Sequence, residues 1–147
     1  MDILINIVTS FIAAAGFGII FNAPREALWK CGLVGMLGWM AYFLLTFQGI
    51  GEVPATVAAA FMIAVISQVF SRVYKAPIII YIVSGIIPLV PGGTAYNAMR
   101  SFVTNDYNMA LSFAAKAFMV SGSIAMGIVL SEVISQIMKQ SRLKRIG

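Results

Sequence analysis

Histidine is absent from the sequence, cysteine occurs once, at position 31, and only 10% of the residues carry charge. Within the chain this excludes disulfide frameworks, Cys/His zinc sites and Cys/His nucleophilic pairs. Paired carboxylates, a phosphate-binding glycine loop and a Ser/His/Asp set are also missing. No metal, no cofactor and no enzyme activity is therefore expected, and an intramembrane enzyme would have to take its catalytic groups from a partner. Cys31 lies inside an apolar run and reads as a small buried hydrophobe.

In place of charge the chain has 61% hydrophobic residues, against about 45–50% apolar in an ordinary soluble domain. The expected fold class is an all-α integral membrane protein. The net charge of +5 does not point to nucleic acid, because the basic residues are spread between apolar runs instead of forming one stripe with aromatics. "AAAG" at 13–16 resembles a signal cleavage site, but the leading charge is Asp2 and no basic region precedes it, so the segment is kept as a span.

A spanning helix needs about 20 mostly apolar residues, and five candidates appear in one transmembrane domain, 1–147. The first, 3–21, ends at "FNAPRE", where Pro24 stops it or opens the next helix. The second, 31–47, carries Gly32, Gly35 and Gly38 on one face, a strip for close helix packing or for a substrate-facing groove. The third is 53–70, and the fourth, 76–90, is short. The fifth, 109–137, is longer than needed and is followed by a basic tail, 139–147, which anchors the topology or binds anionic membrane lipid.

Lysine and arginine mark cytoplasmic loops. Arg25 and Lys30, Arg72 and Lys75, and Lys139, Arg142, Lys144 and Arg145 fall on one side of a five-span arrangement, whereas Asp2, Glu52, Asp106 and Arg100 fall on the other. The expected orientation has the N-terminus outside and the C-terminus inside.

The fourth span ends in "IIPLVPGGTAYNAMRSF". Pro88 and Pro91 lack amide donors, and Gly92 and Gly93 permit angles closed to other residues. Broken backbone at membrane depth is tolerated only where protein or a wet cavity satisfies it, and transporters use such breaks to meet charged groups. A helix restarting at 94–104 with Thr94 as N-cap would present Tyr96, Asn97, Arg100 and Ser101 at neighbouring positions, Arg100 being suited to a carboxylate. The alternative is that residues 94–108 form an external loop.

Lys116 lies within the fifth span and is a candidate substrate contact or a snorkelling lysine. Glu132 is a candidate proton carrier or a simple interfacial acid that pairs with the tail. Trp29, Trp39 and Tyr42 read as belt or packing residues.

Two stretches carry a family likeness: "GFGIIFNAPREAL" at 16–28, with Asn22 and Pro24, and "IIPLVPGGTAYNAM" at 86–99, with Pro88, Pro91 and Gly92. With the five apolar runs and the basic tail, they resemble the small membrane subunit, or C-terminal half, of the threonine/serine exporter family. That resemblance implies a bacterial cytoplasmic (inner) membrane and export of a small-molecule substrate: threonine, serine or a dicarboxylate such as succinate, driven by the proton motive force. It also implies a larger membrane subunit as partner, and a monomeric transporter is not expected, so a homo-oligomer is the other possibility. The rival reading is a non-transporting structural subunit that stabilises or localises a partner.

Overall fold

The computed structural model describes residues 2–143, with side chains from Ile3 to Gln140. Lys144 and Arg145 of the basic tail lie outside the described residues, and the side chain of Arg142 is not described either.

Six α-helices follow in order: α1 Asp2–Ile20, α2 Arg25–Phe47, α3 Glu52–Tyr74, α4 Ile78–Ile86, α5 Gly92–Val103 and α6 Tyr107–Leu143; a 3-10 turn, Ile87–Leu89, extends α4. No strand occurs among the described residues. Helices α1, α2, α3 and α6 are each long and apolar enough to cross a membrane, and α4 with its 3-10 turn makes, with α5, a pair bent by 54° that is together long and apolar enough for one further span. The chain is a multi-pass α-helical membrane protein.

The turns have a shared construction. After α1, Asn22 takes a left-handed φ of 55°, its amide donating to the Ile19 carbonyl and that of Ala23 to the Gly18 carbonyl, both at 2.9 Å. This double bond back into the last turn is a Schellman cap. Pro24 then sits directly before α2, and the Ala27 amide donates to its carbonyl. "FN.P" is thus a helix stop followed by a helix start. Gly49 (φ 85°) and Asn105 (φ 62°) close α2 and α5 in the same way, and Lys75 (φ 51°) ends α3.

Small residues set the helix packing. A Cβ at Gly32 would collide with the Phe11 ring, one at Gly35 with Ala14, and one at Gly38 with Ile63. The glycine strip is therefore filled by side chains of α1 and α3 and is not an open groove. In the same way Gly127 lets α6 approach the α3 backbone, where a Cβ would lie 2.5 Å from the Val57 carbonyl. Such close approach is how helices gain dispersion contact where no hydrophobic effect drives them together. The core they enclose is centred on Val34, Ala59, Ala60 and Ile63.

The direction of each helix follows from its contacts. Glu52 meets Lys116 and Arg72 meets Ser135, so α3 and α6 run parallel. Cys31 meets Ile80, while Gly85 abuts Val34 and Pro88 lies near Gly35, so α4 runs parallel to α2. At 1.5 Å per residue α6 is about 55 Å long, well beyond a hydrocarbon core of about 30 Å. It overshoots α3 at both ends.

Candidate functional site

The break in the fourth span is where the backbone is least able to satisfy itself. Pro88 cannot donate to the Ser84 carbonyl one turn back. Pro91 (φ −77°, ψ 53°) takes the N-cap position of α5, and no side chain caps the amides that follow it. The first-turn amides of Gly93 and Thr94 have no acceptor within their own helix, because a helix start leaves its leading amides unpaired.

Two sequence expectations change here. The helix expected to restart after the break is present, but it covers 92–103 and begins two residues before Thr94, so Thr94 lies inside the first turn and is not the N-cap. Nor do Gly92 and Gly93 serve by unusual backbone angles, since neither has positive φ. A Cβ at either would meet nothing within 4 Å. What these glycines provide is bare backbone beside open space.

That open space is a cavity of about 220 Å³ whose walls come from three helices and the break: Trp39 and Tyr42 of α2, Glu52 and Thr56 of α3, Pro88 to Thr94, and Val120 of α6. The rings of Tyr42 and Trp39 pack with centroids 5.3 Å apart and planes tilted by 34°. At the edge of the cavity the Lys116 ammonium lies 2.9 Å from Oε1 of Glu52, with both side chains about half exposed. Lys116 is therefore held by an acid of α3. A second cavity, of about 200 Å³, lies across Trp39 and Pro88 and gathers Asn6, Thr9 and Ser10. Trp39 donates its indole N–H to the Asn6 side-chain oxygen at 3.2 Å.

The residues singled out from sequence divide accordingly. Pro88, Pro91, Gly92, Gly93 and Thr94 line the cavity, and Lys116 reaches it through Glu52. Tyr96, Asn97 and Arg100 continue along α5, outside the lining. Tyr96 is 66% exposed, and α5 has no buried residue. It packs chiefly against α6 over a wide apolar groove lined by Met99, Phe102, Tyr107 and Leu111.

Glu132 lies toward the opposite end, accepting from Gln136 at 3.1 Å and more loosely from Gln68 at 3.5 Å. Asn22 and Pro24 belong to the α1–α2 turn, away from the cavity.

Sequence reasoning did not assign Trp39, Tyr42, Glu52 or Thr56 to the site. The available signal was that Trp39 and Tyr42 lie one turn apart on α2, and that Glu52 and Thr56 lie one turn apart at the start of α3. Both pairs thus sit at the same end of the α2–α3 hairpin.

The arrangement can bind a small dipolar solute. A cation and an anion stand side by side, uncapped helix amides offer a positive end to an anionic group, and Thr94, Thr56 and Tyr42 supply hydroxyls. Among the described residues no cluster of three His, Cys, Asp or Glu side chains could hold a metal ion.

The family model described as "Threonine/Serine exporter, ThrE" matches residues 6–134, from the first turns of α1 to the latter part of α6. No solved structure matches the chain.

Proposed function

The chain belongs to the threonine/serine exporter family, a family of membrane transporters, and we propose that it forms the membrane pathway for exporting threonine or serine at the broken fourth span. The observation that carries this reading is the cavity at Pro88 to Thr94, where bare helix-start backbone, hydroxyls and Glu52 face one small space, with Lys116 paired to Glu52 at its edge.

The ion pair favours a zwitterion over a dicarboxylate. A threonine or serine molecule brings one ammonium and one carboxylate, so it can exchange partners with Glu52 and Lys116 and leave no charge alone. Succinate would leave Glu52 facing an added negative charge, at a cost that grows as water is excluded. The substrate carboxylate would also face the amides of Gly93 and Thr94. Tyr96, Asn97 and Arg100, further along α5, line the approach by which solute leaves.

The distribution of basic residues supports a reading in which the Glu52 end is outside and the Arg72 end is on the cytoplasmic side of a bacterial inner membrane. Glu132 is the candidate proton carrier at the cytoplasmic end, coupling export to the proton motive force. A larger membrane subunit of the same family, or a second copy, covers the exposed face of α5.

The test is efflux of labelled threonine, serine and succinate from vesicles containing this chain alone and together with the larger subunit. Efflux of threonine or serine in preference to succinate is expected. No efflux of any of the three, with both proteins inserted, would overturn the reading in favour of a structural subunit.

A further inference from the structure

A second set of polar groups lies deeper in the bundle, toward the Arg72 end. Ser67, Tyr81 and Ser84 are each fully buried; the hydroxyls of Ser67 and Tyr81 have no hydrogen-bond partner, and that of Ser84 has only the Cys31 thiol beside it. Other hydroxyls in these helices bond to the carbonyl one turn back, as Ser10 does to Asn6, Thr56 to Glu52 and Ser123 to Met119. Ser67 and Ser84 do not. The carbonyl one turn back from Ser84, that of Ile80, instead receives the Cys31 thiol at 3.7 Å.

The three hydroxyls lie on two helices that pack together, α3 and α4. Tyr81 and Ser84 are one turn apart on α4, and Cys31 and Tyr81 share one buried cluster. On α3, Ile63, Ser67 and Ser71 follow at one-turn intervals. Ile63 abuts Gly85, and Ser71 donates to the Ala76 carbonyl at 2.7 Å. Ser67, between them, therefore faces the turn from Tyr81 to Ser84. Beside this cluster Lys30, only 8% exposed, rests its ammonium 3.3 Å from the centroid of the Tyr74 ring. No carboxylate pairs with it among the described residues.

Buried polar groups are almost always partnered, and a cluster of unpartnered ones calls for an occupant. Between this cluster and the cavity at the break stands Ile63, wedged against Gly38 and Gly85 with Val34 beside it.

We infer that Ser67, Tyr81 and Ser84, with Cys31 beside them, form a second binding site for a small hydroxyl- and carboxylate-bearing solute, shut off from the first site by Ile63. The inference rests on the transport reading and extends it, since the same solute would occupy the two sites in turn. Opening the Ile63 wedge joins them. Lys30 supplies the positive charge toward which the carboxylate is drawn.

Cys31 is the one cysteine of the chain and a native reporter for this site. The experiment measures its alkylation by N-ethylmaleimide in vesicles holding the full chain and its larger subunit, with and without threonine, serine or succinate. Wild type is compared with Ser84→Ala and Tyr81→Phe. Slow labelling is expected, and a bound solute at about four times its Kd should slow it a further fivefold or so. Both variants should lose that protection while reaching the membrane at wild-type levels.

Three results would overturn the inference: no protection by any of the three solutes, protection unchanged in both variants, or a Cys31 that never reacts. Variants that gain heat stability and keep full protection would also overturn it, marking the hydroxyls as an empty packing defect. Efflux by the wild-type protein, followed in the same vesicles, reports separately on the transport reading. Efflux without protection sinks only the second site.

Discussion

The Lys116 ammonium and the Glu52 carboxylate meet at 2.9 Å across 64 positions of sequence, joining α6 to α3 beside the cavity at the break. An exposed ion pair of this kind contributes little to folding, so on the proposed reading its value is as a place where a solute's own two charges can be received. Glu52→Gln and Lys116→Gln should each raise the KM for threonine or serine by about tenfold or more, since each leaves one charge of the solute without its partner. The melting temperature should hardly move. An unchanged KM in both variants would remove the pair from the site.

Two glycines should respond oppositely to substitution. At Gly127 a side chain would meet the Val57 carbonyl and the Phe61 amide, which are backbone and cannot swing aside. Gly127→Val should therefore lower stability by about 1–3 kcal/mol through overpacking, seen as an earlier unfolding midpoint in detergent. Gly92 has open space beside it and ordinary helical angles. Gly92→Ala should leave the fold intact or firm up α5 by about 0.5–1 kcal/mol, yet slow transport by covering the bare backbone. Normal transport by Gly92→Ala would show that the solute does not approach there.

Asn22 holds a left-handed conformation at the end of α1. Its role is then conformational, and Asn22→Gly should be tolerated while Asn22→Val loses about 1–2 kcal/mol. Thermal unfolding of the two variants checks this. Equal loss in both would point to a contact made by the Asn22 side chain itself.

Glu132 is held by Gln136 and Gln68, and Glu132→Gln keeps the shape while removing the titrating proton. Export against a gradient should stop in this variant, while exchange of solute across the membrane at equal concentrations continues. Loss of both together would assign Glu132 to the fold and not to coupling.

The sequence shows the helices because each span is a local property: an apolar run bounded by residues that stop or start a helix. Boundaries move where polar turns continue a helix beyond the apolar run. Thus α2 begins at Arg25, six residues before its apolar run, since Pro24 can start a helix but not continue one.

The break at Pro88 to Gly93 is legible for the same local reason. What surrounds it is not. Trp39 and Tyr42 look like belt residues until the α2–α3 turn folds them onto Glu52 and Thr56, and Lys116 looks unpaired until α6 is laid parallel to α3. Tyr81 and Ser84 look like ordinary members of an apolar helix. Only burial, with no hydrogen-bond partner for Tyr81 and only the Cys31 thiol beside Ser84, distinguishes them.

Four of the five links between helices are closed by a residue in the left-handed region, at Asn22, Gly49, Lys75 and Asn105. The fifth, at Val90 and Pro91, has ordinary φ values of −62° and −77° and no such lock. The break is thus the one link at which the chain turns without a left-handed cap, while α6, which shares a face with α5, is tied to both ends of α3, by Lys116 to Glu52 and by Arg72 to Ser135.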